Sequence, residues 1–130
     1  MSFNWTTYLV LARELAGHSA PRRQRSAAYE QARLRSAISR AYYAAFCRAR
    51  NHLRDNEGLS PPRSADVHQW VVNQFLNSPN QVHIGVAQDL NRLRRQRNIA
   101  DYDDTVTGLP NLARAALRLA ERVLTGLDNL

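Results

Sequence analysis

The chain has 130 residues, 44% of them hydrophobic, and a mean hydropathy of −0.51. This suffices for one globular core but not for two, and no apolar run approaches the roughly 18 residues of a membrane span. The single cysteine, Cys47, excludes an internal disulfide framework and a Cys-rich zinc site. The opening residues lack the basic, apolar, small-residue progression of a secretory signal. The expectation is one cytoplasmic domain over residues 1–130.

The net charge is +7, and all 18 basic residues are arginine. Eleven arginines face four acids in residues 1–65, and seven face seven in residues 66–130, so the whole excess lies in the first half. Such a basic face attracts nucleic acid or an acidic partner. The plainer reading is that arginines solvate helix surfaces; the cluster Arg22, Arg23 and Arg25 is the strongest exception.

Taken in chain order, five helical segments are expected. The first runs from Asn4, a candidate N-cap, to Ala16, with Gly17 just beyond. Its Trp5, Tyr8, Leu9, Ala12 and Leu15 recur at steps of three and four. The second runs from about Pro21 to Asn56, with Leu34, Ile38, Ala41, Ala45, Ala49 and Leu53 on one stripe, widened by Tyr42 and Phe46. Gly58, Pro61 and Pro62 end it. The third opens with Ser64 as N-cap, shows Val67, Trp70, Val71 and Phe75 as its apolar face, and closes at Asn77-Ser78-Pro79-Asn80. The fourth spans about Val82 to Ala100. The fifth runs from Pro110 to the C-terminus, with Leu112, Ala116, Leu119, Val123 and Leu127 inward. The reading is an all-α bundle of five helices with an up-and-down antiparallel core.

One residue breaks the apolar pattern. At about 100° per residue, Val86, Leu90, Leu93 and Ala100 fall within roughly 40° of a common axis, and Arg97 falls among them. Arg95 points the opposite way, toward solvent. An arginine on an apolar stripe is costly unless it is paired or lines a wet cleft. Asp101 lies four residues on and can pair with it. Two readings remain open: an Arg97–Asp101 clamp on the helix end, or an anion site that uses the guanidinium fork at a subunit interface.

The segments Ser39-Arg40-Ala41-Tyr42-Tyr43-Ala44-Ala45-Phe46, Ala65-Asp66-Val67-His68 and Arg97-Asn98-Ile99-Ala100-Asp101-Tyr102-Asp103 follow one another along the chain. In this succession the chain resembles small prokaryotic HEPN-domain proteins, from Trp5 to the last helix. The resemblance implies a HEPN-type bundle that pairs as a two-fold homodimer, with the motif helices facing across a cleft. It further implies a role in a toxin–antitoxin or defence pair with a nucleotidyltransferase antitoxin, and RNA or a nucleotide as ligand. Catalytic relatives are metal-independent endoribonucleases in which the motif arginine binds the scissile phosphate. A histidine four to six residues later assists attack by the ribose 2′-hydroxyl.

Here Arg97 and Asn98 match the arginine and polar positions, but Tyr102 stands where the histidine of the shortest spacing would be. A phenol is a poor general base at neutral pH, though it can donate a hydrogen bond to phosphate. Asp101 can accept a proton, but beside Arg97 it is a weakened base. His68, near a helix start, is the best substitute base; alternatively, it bonds a loop carbonyl or an acid. The alternative to the ribonuclease is a non-catalytic module that binds a nucleotide, a nucleic acid or a partner protein.

Tyr42 with Phe46 fits a core reading, while Tyr43 can reach the cleft with its hydroxyl. Arg40 and Arg94 are candidate nucleic-acid contacts beside Arg22, Arg23 and Arg25. Cys47 is a small packing residue. His18, His52 and His83 read as surface or loop residues with no metal pair on one face. No metal and no cofactor is expected, and no membrane partner.

Overall fold

A computed structural model describes residues 3–17 and 26–130. Five helices follow in chain order: α1 (Thr6–Gly17), α2 (Ala27–Asn56), α3 (Val67–Leu76), α4 (Gln81–Tyr102) and α5 (Leu109–Asp128). No strand occurs among the described residues. The expected all-α, five-helix architecture is the observed one.

Helix starts follow side-chain chemistry that the periodicity only approximates. Asn4 Oδ1 accepts the Thr6 N–H at 3.1 Å, so Asn4 caps α1 as expected, and Gly17 is the last helical residue rather than the first beyond it. Ser26 caps α2 by accepting the Tyr29 N–H at 3.0 Å, which sets the start at Ala27. The expected stretch from Pro21, with Arg22, Arg23 and Arg25, lies outside the described residues, as does His18.

Ser64 does not cap α3. Its backbone carbonyl closes a turn onto the Val67 N–H at 3.2 Å, and Asp66 takes the N-cap position without a side-chain bond. The apolar face of α3 is also turned from the expected one. His68, Val71, Val72 and Phe75 are buried, whereas Val67 and Trp70 are half-buried. Asn80 caps α4 through the Val82 N–H at 2.8 Å, and the helix continues two residues past Ala100. Gly108 precedes α5 with φ of 68°, a left-handed conformation that suits glycine, and Pro110 sits in the first turn.

α2 is the central element, packing against α1, α4 and α5. Ala37, Ala41, Ala44, Ala45 and Ala49 are fully buried along it, and their small side chains let three neighbours approach closely. α4 also packs on α5 and α3. At the α4–α5 crossing, a Cβ on Gly126 would lie 3.2 Å from Val86 Cγ2, a tight contact that glycine avoids. Beside it, Arg122 donates two hydrogen bonds to the buried Asp89, at 2.7 and 3.1 Å.

Two arginines of α2 tie helix ends together. Arg33 donates to the carbonyls of Leu15 and Ala16 at the end of α1. Arg35 donates to the carbonyls of Ala100 and Asp103, at 2.9 and 2.6 Å, and so closes the end of α4. Both satisfy carbonyls that a helix terminus leaves open, where the macrodipole also favours a cation. Among the described residues, no helix is long and apolar enough to cross a membrane.

Candidate functional site

The last turn and a half of α4 carries Arg97, Asn98, Asp101 and Tyr102, and α2 and α3 supply what holds them. Arg97 lies on the apolar stripe as its spacing predicts, with 17% of its side chain exposed. Its Nη1 donates to the Tyr43 hydroxyl at 2.9 Å, and its Nη2 donates to Asn98 Oδ1 at 2.8 Å. The guanidinium carbon lies 5.1 Å from the centre of the Tyr42 ring and 5.6 Å from that of Tyr43. Two aromatic faces therefore accommodate the cation where the stripe would otherwise penalise it.

Asp101 Oδ2 approaches Arg97 Nη1 at 3.8 Å, within reach of ion pairing but beyond hydrogen-bond distance. The clamp is thus loose, and the strong contacts of Arg97 are to Tyr43 and Asn98. Of five guanidinium N–H donors, two are used in this way. The Nε–H is buried without a hydrogen-bond partner, a costly state for a group serving stability alone. Tyr102 is 73% exposed and projects beyond the cluster, and Ile99 beside it is also exposed.

Behind Arg97 lies a buried polar relay. The Tyr42 hydroxyl is 2.7 Å from His68 Nδ1, and His68 Nε2 is 3.3 Å from Asn91 Oδ1. Since an amide oxygen only accepts, Nε2 carries the hydrogen, and Tyr42 donates to Nδ1. His68 is 4% exposed and stacks on Tyr42 and Phe46. Burial pushes its pKa down to about 4, against the Asn91 bond and with the help of Arg94 and Arg97. The ring is neutral at pH 7, with both nitrogens engaged. Its partners are thus a phenol and an amide, in place of the loop carbonyl or acid expected from the sequence.

Burial likewise pushes the Tyr42 phenol up, against the opposing field of Arg97 and Arg94. Tyr42 is a core residue stacked on Phe46, with ring centres 5.7 Å apart, and its hydroxyl still serves the relay. Tyr43 reaches Arg97 with its hydroxyl.

The remaining candidates fall in different places. Arg94 lies close enough to Tyr42 and His68 to bias both. Arg40 is turned toward α1, its guanidinium 5.1 Å from the centre of the Tyr8 ring. Cys47 is buried, and its thiol is pushed up to about 11 by burial, which makes it inert packing. His52 and His83 are not loop residues: they sit within α2 and α4, with side chains 10% and 17% exposed. Sequence reasoning missed Asn91, which reads as one polar residue among several in α4, and Arg35, whose carbonyl partners lie 65 or more positions away. Asn91 precedes Arg97 by less than two turns on the same helix, which is the only signal that could have singled it out.

A family model for the HEPN domain matches residues 23–130, from before α2 to the end of the chain. Searches of curated proteins and of solved structures return no significant match.

Proposed function

From the premise that this chain belongs to the HEPN domain family, we propose that it binds RNA through a phosphate held by Arg97 and Asn98, as a two-fold homodimer. The carrying observation is the guanidinium itself. It is oriented by Tyr43, Tyr42 and Asn98 yet only loosely neutralised by Asp101. A pre-oriented fork with spare donors suits a phosphate, because little conformational entropy is lost on binding. The exposed Ile99 and Tyr102 supply the apolar and stacking surface at the same helix end, where a second copy or a base can pack.

The resemblance drawn from the sequence favours a cutting enzyme, but Tyr102, open to solvent at the histidine position, is a poor general base and can only donate a hydrogen bond to phosphate. His68 has both nitrogens occupied and a low proton affinity, so it is a positioning residue rather than a general base. Binding without cutting is the reading we adopt. The nucleotidyltransferase antitoxin partner and the toxin–antitoxin setting follow from the resemblance; co-expression with a neighbouring nucleotidyltransferase and co-purification of the two proteins test them.

RNA binding is tested by titrating single-stranded RNA at two salt concentrations. Affinity should fall steeply with salt, and Arg97→Ala should remove most of it while the helical circular dichroism persists. Salt-insensitive or absent binding overturns the proposal. Metal-independent cutting in EDTA that leaves 2′,3′-cyclic phosphate ends, and that Arg97→Ala abolishes, would replace it with the ribonuclease. Sedimentation at micromolar concentration checks the dimer.

A further inference from the structure

At the opposite end of α4 from Arg97, three ligand-bearing side chains from the end of α2 and the start of α4 converge. His52 comes from the last two turns of α2, Glu57 from the residue that ends it, and His83 from the first turn of α4. His52 Nε2 lies 3.1 Å from Glu57 Oε2, and His83 Nε2 lies 3.9 Å from the same oxygen. The ligand atoms of all three lie within 4.8 Å of one another. We propose that His52, Glu57 and His83 form a binding site for a divalent first-row transition ion, with zinc as its natural probe.

The geometry fits such an ion. Bonds of about 2.0–2.1 Å to nitrogen and carboxylate oxygen place tetrahedral ligands roughly 3.4 Å apart. The two histidine–Glu57 separations, 3.1 and 3.9 Å, bracket that edge, and the histidine–histidine edge is bounded at 4.8 Å, so side-chain rotation must draw the three together around an ion. Two imidazoles and one carboxylate are a borderline donor set, which selects such ions over calcium or magnesium. Three protein ligands leave a fourth position for water. Glu57, with 39% of its side chain exposed, opens that side to solvent.

Both imidazoles are supported from behind, as metal-ligating histidines are. His83 Nδ1 contacts the Ser78 hydroxyl, and His52 Nδ1 lies 3.1 Å from the Asn56 Nδ2 atom. These contacts turn the two Nε2 atoms toward Glu57. A metal on Nε2 requires the ring hydrogen on Nδ1. The Ser78 oxygen accepts it at His83, whereas at His52 the Asn56 amide nitrogen faces Nδ1, so metal binding there requires the Asn56 amide to turn its oxygen to the ring. Phe75, buried beneath, lies 5.4 Å from the His83 ring and 6.1 Å from the His52 ring, and fixes the floor of the site.

The spacing of the three residues explains why the sequence pattern conceals them. No two lie on one helix face: the first two flank a helix end, and the third follows an entire intervening helix. The ion would staple the end of α2 to the start of α4, and Ser78 would bring in the segment after α3. The site is fourteen residues from Arg97, about 21 Å along α4. It is therefore independent of the proposed RNA contact.

The test uses tag-free, chelator-treated full-length protein. Isothermal titration with zinc should give one ion per chain, and cobalt should give the visible absorption of a low-coordinate nitrogen–oxygen site. Glu57→Gln and His83→Ala should each weaken binding by about 100-fold or more, and Ser78→Ala by about 10-fold through the supporting contact. Arg97→Ala should bind as the wild type does. Zinc should raise the unfolding temperature of the wild type but not of the double variant Glu57→Gln/His83→Ala, whose circular dichroism reports that it folds. Absence of saturable binding, or binding that persists in the double variant, shows a hydrogen-bonded cluster only and overturns the proposal.

Discussion

The two ends of α4 have opposite chemistries, and in each case side chains work with or against the field of the helix. Its C-terminal end carries Arg97 within reach of Tyr43 and Asn98, with Asp101, Asp103 and Asp104 following. The macrodipole there favours a cation and repels an anion, so any phosphate affinity at this end must come from the arginine itself. Its N-terminal end carries His83 near His52 and Glu57, where the dipole disfavours a cation. A metal ion there depends on the Glu57 charge. Each end thus relies on one charged side chain to reverse what the backbone would prefer. Between them, the middle of α4 is pinned by Asn91 to His68 of α3 and by Asp89 to Arg122 of α5.

The strongest way to break this contrast is Arg97→Ala. With the dipole unfavourable and the nearby Arg35 guanidinium committed to the Ala100 and Asp103 carbonyls, RNA affinity should fall by about 100-fold, roughly 2.7 kcal/mol. Arg97→Lys should recover only part of it, because an ammonium lacks the planar fork. Filter binding with both variants measures the difference; equal affinity for Arg97→Ala and wild type would mean that the end of α4 holds no anion.

The pinned middle makes the next largest prediction. His68 titrates at about 4 in the fold, below the 6.5 of an unconstrained histidine, so the unfolded chain binds the extra proton first. The stability that follows from a neutral His68 is complete above pH 6.5 and is lost as pH falls toward 4, by roughly 2 to 3 kcal/mol. Urea unfolding at pH 7 and at pH 4 should show this loss. His68→Gln should flatten the profile between those values while lowering stability overall. A wild-type profile equally flat would show that burial does not hold the ring neutral.

How far the sequence discloses these regions depends on how local each signal is. The five helices follow from apolar periodicity and capping residues, and Arg97 stands out because a charge interrupts a stripe whose period is local. The partners of Arg97 are less visible: Tyr43 sits one step round α2 from Tyr42, and only packing decides which hydroxyl meets the guanidinium. His68 is legible as a histidine at a helix start, yet its buried relay to Asn91 depends on how α3 is turned against α4. The His52–Glu57–His83 cluster is invisible to any one-face search, since it forms across two helices and a turn. The charge asymmetry also changes meaning in three dimensions. Arg13, Arg48 and Arg54 meet acids, and Arg33 and Arg35 close helix ends. Arg40 lies over the ring of Tyr8, and Arg50 over that of Trp5. Much of the excess in the first half therefore holds the fold together.

Two smaller effects sharpen the contrast. Asp89→Asn leaves the shape of the α4–α5 contact but removes the charge that Arg122 grips with two hydrogen bonds. Because Arg122 is 63% exposed on its side chain, water can take over its solvation, and the expected loss is about 1 to 2 kcal/mol by urea unfolding. RNA affinity should not change, since this pair lies away from the Arg97 cluster; a parallel drop in both would show that the middle and the end of α4 are coupled.

Tyr43→Phe tests orientation against charge at the Arg97 end. The substitution removes one hydroxyl that accepts from Nη1 at 2.9 Å and leaves the ring, and with it the aromatic face 5.6 Å from the guanidinium. Stability should change by about 1 kcal/mol at most, the net worth of one hydrogen bond to a charged group partly open to water. RNA affinity is the discriminating measurement. If the site works because Tyr43 pre-orients the fork, affinity falls by a few-fold to about 10-fold while its salt slope stays the same, because no phosphate contact has been deleted. An unchanged affinity would assign the orientation to Tyr42 and Asn98 alone. A reduced salt slope would mean that the guanidinium has swung away toward Asp101, so that the loose 3.8 Å pair closes into the clamp and the anion site is lost.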